Sequence, residues 1–230
     1  MTISGLQKLT LLDFPGKVAC TVFTAGCNLR CPFCHNAELV EPGAAPDPVD
    51  EAGFFALLEK RRGVLDGVCV TGGEPLLQPG LPAFLERVKA LGYAVKLDTN
   101  GFFPERLREL AGAGLVDRVA MDVKNCRARY AETAGVAGLD LAPLEETAAW
   151  LRAGGLPFEF RTTVVRELHD GESFRAIGAW LAGDEPYFLQ GFQDSGALLE
   201  EGLHGCGPEE MERFRQILLP FLPNTALRGV

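Results

Sequence analysis

Apolar, β-branched runs recur at residues 18–24, 68–71, 94–97, 116–121, 158–165 and 187–192, and each predicts a strand. Between them, apolar residues at three- and four-residue steps predict helices over about 50–62, 81–91, 104–113, 143–154, 172–182 and 208–221. Leu81, Phe84, Leu85, Val88 and Leu91 form one such face, and Gly92 follows as the residue that ends the helix. Pro208 fits the first position of the last helix, whose apolar face is Met211, Phe214, Ile217 and Leu218. Strand and helix alternate six times, which implies parallel strands with helical crossovers. Eight such units close a standard barrel, and this chain has room for six. The expected fold class is α/β, an incomplete (β/α)6 TIM-like barrel with parallel strands, open on one side. No linker or low-complexity segment divides residues 1–230, so one domain is expected. Residues 41–48, with Pro42, Pro46 and Pro48, read as a loop.

Charge narrows the partners. The chain has 22 Lys and Arg against 31 Asp and Glu, a net charge of −9. That balance argues against a dedicated nucleic-acid surface, which rests on clustered basic residues, and suits a protein partner better. No basic segment followed by a short apolar stretch opens the chain, and no apolar run approaches the ~20 residues needed to cross a bilayer. A cytoplasmic protein without membrane contact is expected.

Seven cysteines in such a chain are not a disulfide framework, because a reducing compartment keeps thiols free. Cys27, Cys31 and Cys34 sit within eight residues, directly after the first predicted strand, in a loop spanning about residues 24–40. Clustered cysteines of this kind point to metal. A structural zinc site wants four closed ligands, and a fully ligated iron-sulfur cluster wants four cysteines. Only His35 adjoins the three, so the loop reads as a cluster site with one iron left open; zinc-loop and ferredoxin-like alternatives stay possible from this loop alone. Cys20 and Cys69 lie in apolar runs and read as small buried hydrophobes. Cys126 and Cys206 fall in loops.

Gly72-Gly73-Glu74-Pro75 follows the second strand. Its glycines permit close backbone approach and its carboxylate can accept from an ammonium group, although a tight strand-to-helix turn also explains it. Further polar motifs stand at strand ends: Asp98-Thr99-Asn100-Gly101, Asp122-Val123-Lys124, Arg161 and Gln190. In barrels of parallel strands the active site is built there, so these residues are site candidates; the alternative is that the aspartates cap turns and Lys124 is a solvated charge.

The spacing Cys-x3-Cys-x2-Cys followed by Gly-Gly-Glu-Pro resembles the radical S-adenosylmethionine superfamily. The resemblance implies a [4Fe-4S] cluster on Cys27, Cys31 and Cys34, with S-adenosylmethionine chelated by the open iron. It implies that Gly72, Gly73 and Glu74 hold the methionyl amino group. It makes Phe33, Asp98, Asn100, Asp122, Lys124 and Gln190 further cofactor-binding candidates. One electron from the reduced cluster would split the cosubstrate into methionine and a 5′-deoxyadenosyl radical. Within the superfamily, His35-Asn36 after the third cysteine, Asp98–Gly101 and the Asp-x-Lys segment resemble the activating enzymes of glycyl-radical enzymes. Residues 11–16, 95–101 and 159–163 resemble the anaerobic ribonucleoside-triphosphate reductase activating proteins. The implied partners are a glycyl-radical enzyme, most closely anaerobic ribonucleotide reductase, and a low-potential electron donor such as flavodoxin or ferredoxin. Pyruvate formate-lyase activases place a histidine at the end of the sixth strand, where this chain has Gln190-Gly191-Phe192-Gln193. The alternatives are a radical enzyme acting on a small molecule, similar to 7-carboxy-7-deazaguanine synthase, and a non-catalytic iron-sulfur electron carrier.

Overall fold

Strands form where the β-branched runs predict them, because these runs can be buried on both faces. Val68, Val70, Val95 and Leu97 are all fully buried, as expected of parallel strands covered by helices on one side and filled on the other. The computed structural model describes residues 1–40, 48–194, 196 and 198–230. The loop expected at 41–48 lies outside the described residues except for Pro48. The described chain gathers into two compact units: Met1–Asn28, Glu38–Ala120 and Pro143–Pro157 form the first, and Leu29–Ala37, Met121–Ala142 and Phe158–Val230 the second.

The first unit contains β1 (Gly5–Thr10), β2 (Ala19–Thr24), β3 (Gly67–Gly72) and β4 (Ala94–Thr99). β2, β3 and β4 are parallel in chain order, with Thr21 opposite Cys69 and Cys69 opposite Lys96. β1 pairs antiparallel with β2. Helices α1 (Glu51–Lys60), α2 (Leu81–Ala90) and α3 (Pro104–Gly112) connect or follow these strands. Asp50 caps α1 by accepting from the Ala52 and Gly53 N–H groups. The predicted face of α2 is the buried one, and Phe84 stacks on Phe54 with centroids 5.3 Å apart. Gly92 follows α2 at φ +88°, the left-handed conformation that favours glycine.

β5 (Arg118–Asp122) contributes residues to both units. The second unit holds β6 (Phe158–Val164), β7 (Tyr187–Gly191) and β8 (Thr225–Arg228), parallel in chain order. It also holds α4 (Tyr130–Ala134), α6 (Gly171–Leu181) and α7 (Pro208–Leu218); α5 (Ala142–Trp150) belongs almost wholly to the first unit. Pro208 is the first residue of α7, and Phe174 of α6 packs on Phe214 of α7 with centroids 4.6 Å apart.

All six predicted strands and all six predicted helices are present, with parallel β-α connections. Among the described residues the strands follow chain order from β1 to β8, an open series. Three elements exceed the sequence reading. β1 exposes Gln7, Lys8 and Leu9 together, so it lacks the alternation that marks a half-buried strand. β8 and α4 are four and five residues long, too short to carry a period. The helix predicted over 143–154 ends at Trp150 and unwinds into a wider turn, Leu151–Gly155, with Gly154 at φ +89°.

Candidate active site

In the first unit, β3 delivers the Gly-Gly-Glu turn to the root of the cysteine loop. The Gly73 N–H donates to the Thr24 carbonyl at 2.8 Å and the Glu74 N–H to the Gly26 carbonyl at 2.8 Å. A Cβ on Gly72 would lie 2.3 Å from the Thr24 nitrogen, and one on Gly73 2.2 Å from the Gly26 oxygen. What demands glycine at both positions is therefore backbone packed against backbone. The loop returns on itself through Gly26 N–H to Leu39 O, 2.7 Å, and Cys27 N–H to Val40 O, 3.0 Å.

Glu74 is drawn into the chain's own hydrogen bonding. Its side chain is fully buried. Oε1 accepts from the Leu76 N–H at 3.0 Å and the Thr99 hydroxyl at 2.9 Å, and Oε2 from the Asn100 N–H at 2.8 Å. The carboxylate expected to meet a ligand ammonium accepts three of the chain's own donors and ties the β3 turn to the end of β4. Asp98 is likewise engaged internally: it is buried, ion-paired to Lys96 and accepts from the Cys69 thiol at 3.7 Å. Lys96, 1% exposed, went unmarked in the sequence because a lone lysine in an apolar strand signals nothing until its partner is seen. Asn100, also buried, directs its side-chain amide at Asn28 and Cys27.

The second unit holds the rest of the loop. Arg30 N–H donates to the Ala134 carbonyl at 2.9 Å, and Cys34 N–H to the Cys31 carbonyl at 3.0 Å. Gly135, at φ +66°, ends α4 beneath it; a Cβ there would lie 2.0 Å from the Arg30 oxygen. Phe33 is buried. At the end of β5, Asp122 accepts from Lys124 at 3.0 Å and from Arg161 of β6 at 2.9 Å. Burial alone would raise the Asp122 carboxyl, but the two cations outweigh it and hold it at about 2. Burial would lower Lys124, yet the carboxylate of Asp122, aided by Cys31, raises it well above the usual lysine range. The trio of two cations and one anion carries a net positive charge. Gln190 sits half-buried on β7, in register with Thr163 and Arg228.

Two bracing residues were invisible in the sequence. Asn125, fully buried, donates to the Thr133 hydroxyl at 2.8 Å and the Leu168 carbonyl at 2.9 Å. His169, 4% exposed, accepts at Nδ1 from the Val165 N–H at 3.1 Å. Its Nε2 then carries the proton and donates to the Lys124 carbonyl at 2.8 Å. Burial pushes this imidazole below its ordinary pKa and keeps it neutral. A neutral folded histidine stabilises the protein fully above the unfolded pKa of about 6.5, and that contribution drains away below it, as pH falls through the lower folded pKa. Melting temperature is expected to fall between pH 7.5 and 5.5, and His169→Gln, which keeps a donor toward Lys124 without titrating, should flatten part of that slope. His35, lowered chiefly by burial and then by Lys124, adds to the slope in the same direction. Superimposable melting curves for the two proteins across this range would refute the assignment.

The cysteines fit a cluster. All seven are free of disulfides. Burial pushes the Cys34 thiol up, opposed by the Asn36 backbone and by the Lys124 ammonium, so iron binding there expels a proton. Burial pushes Cys20 up to about 12, and burial with the nearby Glu210 carboxylate takes Cys206 to about 11; neither thiol has the lowered pKa of a reactive site. Cys126 is buried beside Asn125, whose side chain accepts its N–H at 2.7 Å. Among the described residues, no three Cys, His, Asp or Glu side chains are already gathered as a metal cage. Three thiols on one loop, with no fourth cysteine on it, suit a [4Fe-4S] cluster with one open iron. His35 lies against Phe192 with ring centroids 5.2 Å apart.

The family model for the radical SAM superfamily matches residues 21–177, which include the cysteine loop, the Gly-Gly-Glu turn and Asp122–Lys124. The chain belongs to the radical SAM superfamily. It therefore uses a [4Fe-4S] cluster and S-adenosylmethionine. A protein of Methanocaldococcus jannaschii, named provisionally as a glycyl-radical enzyme activating enzyme, is 29% identical over 99% of this chain and 96% of its own length. GTP 3′,8-cyclase of Streptomyces coelicolor is 32% identical over 71% of this chain, which spans 50% of that protein. A solved radical SAM methyltransferase from Sphaerobacter thermophilus superposes with a TM-score of 0.73 at 16% identity, over 96% of this chain and 68% of the other. That likeness establishes the fold. No helix among the described residues is long and apolar enough to cross a membrane.

Proposed function

We propose that this radical SAM protein activates a glycyl-radical enzyme, namely an anaerobic ribonucleotide reductase. The observation that carries the reading is end-to-end likeness to a protein provisionally named a glycyl-radical enzyme activating enzyme, with nearly all of both chains aligned. The His35-Asn36 continuation and the Asp98–Gly101 and Asp122–Lys124 segments support the same branch.

Cys27, Cys31 and Cys34 would hold the cluster through three irons. The bound cluster, reduced by a low-potential donor such as flavodoxin or ferredoxin, supplies the electron that cleaves the sulfonium–C5′ bond of S-adenosylmethionine. Lys124 and Arg161, partly neutralised by Asp122, offer net positive charge suited to the methionyl carboxylate. With three chain donors already on the Glu74 carboxylate, the backbone carbonyls of the Gly72–Gly73 turn join it as proposed acceptors for the methionyl ammonium. In the first unit Asp98 and Asn100 are further proposed cofactor-binding residues, and in the second unit Phe33 and Gln190 are.

The partner's glycine would lose its Cα hydrogen to C5′, giving 5′-deoxyadenosine and a glycyl radical. The test mixes reduced, cluster-loaded protein and S-adenosylmethionine with the anaerobic ribonucleotide reductase of the same organism. An EPR doublet should grow in the partner, vanish when its radical glycine is replaced by alanine, and deuterium at that α-carbon should appear in 5′-deoxyadenosine. Deuterium retained in the partner while 5′-deoxyadenosine forms would overturn the activase reading. The cyclase likeness would then make a small molecule the hydrogen donor.

A further inference from the structure

We propose that Asn100 donates a hydrogen bond to the sulfur of Cys27 and thereby raises the reduction potential of the cluster. The inference rests on Cys27 being a cluster ligand. All the residues that carry it lie in the first unit.

The amide of Asn100 has no freedom to turn. Its Oδ1 accepts from the Phe102 N–H at 3.2 Å. Its Nδ2 donates to Asn28 Oδ1 at 2.7 Å and lies 3.9 Å from Cys27 Sγ, so its two hydrogens can serve one acceptor each. An amide has one acceptor and two donors in a plane, so these three contacts define its orientation: flipping it would set Oδ1 against Asn28 Oδ1 and Nδ2 against the Phe102 N–H. The backbone is held as well, because the Asn100 N–H donates to buried Glu74, and the Thr99 hydroxyl donates to the same carboxylate. Asn100 itself is 5% exposed. A rigid, desolvated N–H is thus directed at one sulfur of the loop.

Hydrogen bonds to cluster sulfurs are among the protein's levers on potential, since they withdraw electron density and favour the more negatively charged, reduced state. This gives Asn100 a role distinct from contact with S-adenosylmethionine.

The test compares wild type with Asn100→Asp, Asn100→Ala and Asn28→Ala, each anaerobically reconstituted and assayed for iron before redox titration by EPR. Asn100→Asp keeps the side-chain oxygen for Phe102 and replaces the N–H donor by an acceptor, so its potential should shift to more negative values. Asn100→Ala should shift in the same direction and by less, since it adds no charge. Asn28→Ala leaves the donor in place and should move the potential least. Equal potentials in all four proteins at equal iron content would overturn the inference. Should the Asn100 variants fail to hold iron, wild type labelled with asparagine that carries 15N only at the side-chain amide decides, since the backbone nitrogens of Asn28 and Asn36 then stay silent. A 15N coupling to the reduced cluster in pulsed EPR supports the bond, and its absence refutes it. Wild-type protein that holds no cluster would instead sink the cluster assignment, which keeps the two failures apart.

Discussion

Anaerobically reconstituted wild-type protein is expected to hold about four irons per chain, and Cys27→Ala, Cys31→Ala or Cys34→Ala should each bring that to nearly none. Cleavage of S-adenosylmethionine to 5′-deoxyadenosine should disappear with it. The effect is total because a cluster already one ligand short loses a second protein anchor. Cys31 is the sharpest test. It is buried, its N-terminal neighbour Arg30 is clamped to Ala134, and Gly135 leaves no room for the loop to be laid differently. Cys20→Ala and Cys69→Ala should retain full iron, since both thiols lie on buried strand positions. Cys126→Ala and Cys206→Ala should retain it as well. Iron and visible absorbance of the brown protein measure the outcome. A requirement for Cys126 or Cys206 equal to that for the three loop cysteines would close the open iron and dismantle the radical mechanism.

The second large effect is on stability. Glu74→Ala removes an acceptor of three hydrogen bonds and leaves the Leu76 N–H, the Thr99 hydroxyl and the Asn100 N–H buried without it. Each stranded donor costs about 1–3 kcal/mol, so a loss of about 3 kcal/mol or more is expected. For a chain of this size that corresponds to a melting temperature lower by roughly 6–12 °C. Glu74→Gln keeps the shape and one oxygen for Leu76 and Thr99, but sets an NH2 against the Asn100 N–H; about 1–3 kcal/mol is expected. The order wild type, Gln, Ala should hold in the cluster-free protein, where no cosubstrate contact contributes. Melting temperatures unchanged in both variants would return Glu74 to the role of a ligand contact.

These results separate what could be read along the chain from what could not. The alternation of strand and helix was legible because each element is long enough to show its period: α2 buries the face that Leu81, Phe84, Leu85 and Val88 define. β1, α4 and β8 were not legible, being polar at the edge or shorter than one clear repeat. The cysteine loop was legible for a different reason. Three thiols within eight residues and the turn Gly72-Gly73-Glu74-Pro75 are local patterns, and local patterns survive without coordinates.

What the sequence by itself determined is therefore the superfamily, the parallel α/β plan and the cysteine loop. What only the tertiary structure decided is the work assigned to each polar residue around them. A glutamate in a glycine turn reads only as an acceptor for a ligand until Thr99 and Asn100, 25 and 26 residues later, are seen to donate to it. Lys96 and His169 carry no pattern at all, yet one pairs Asp98 and the other braces the Lys124 carbonyl. The physical reason is the cost of burial: a polar group taken out of water must find a partner. In a parallel α/β chain that partner comes from another strand or crossover, at a separation that local periodicity does not record.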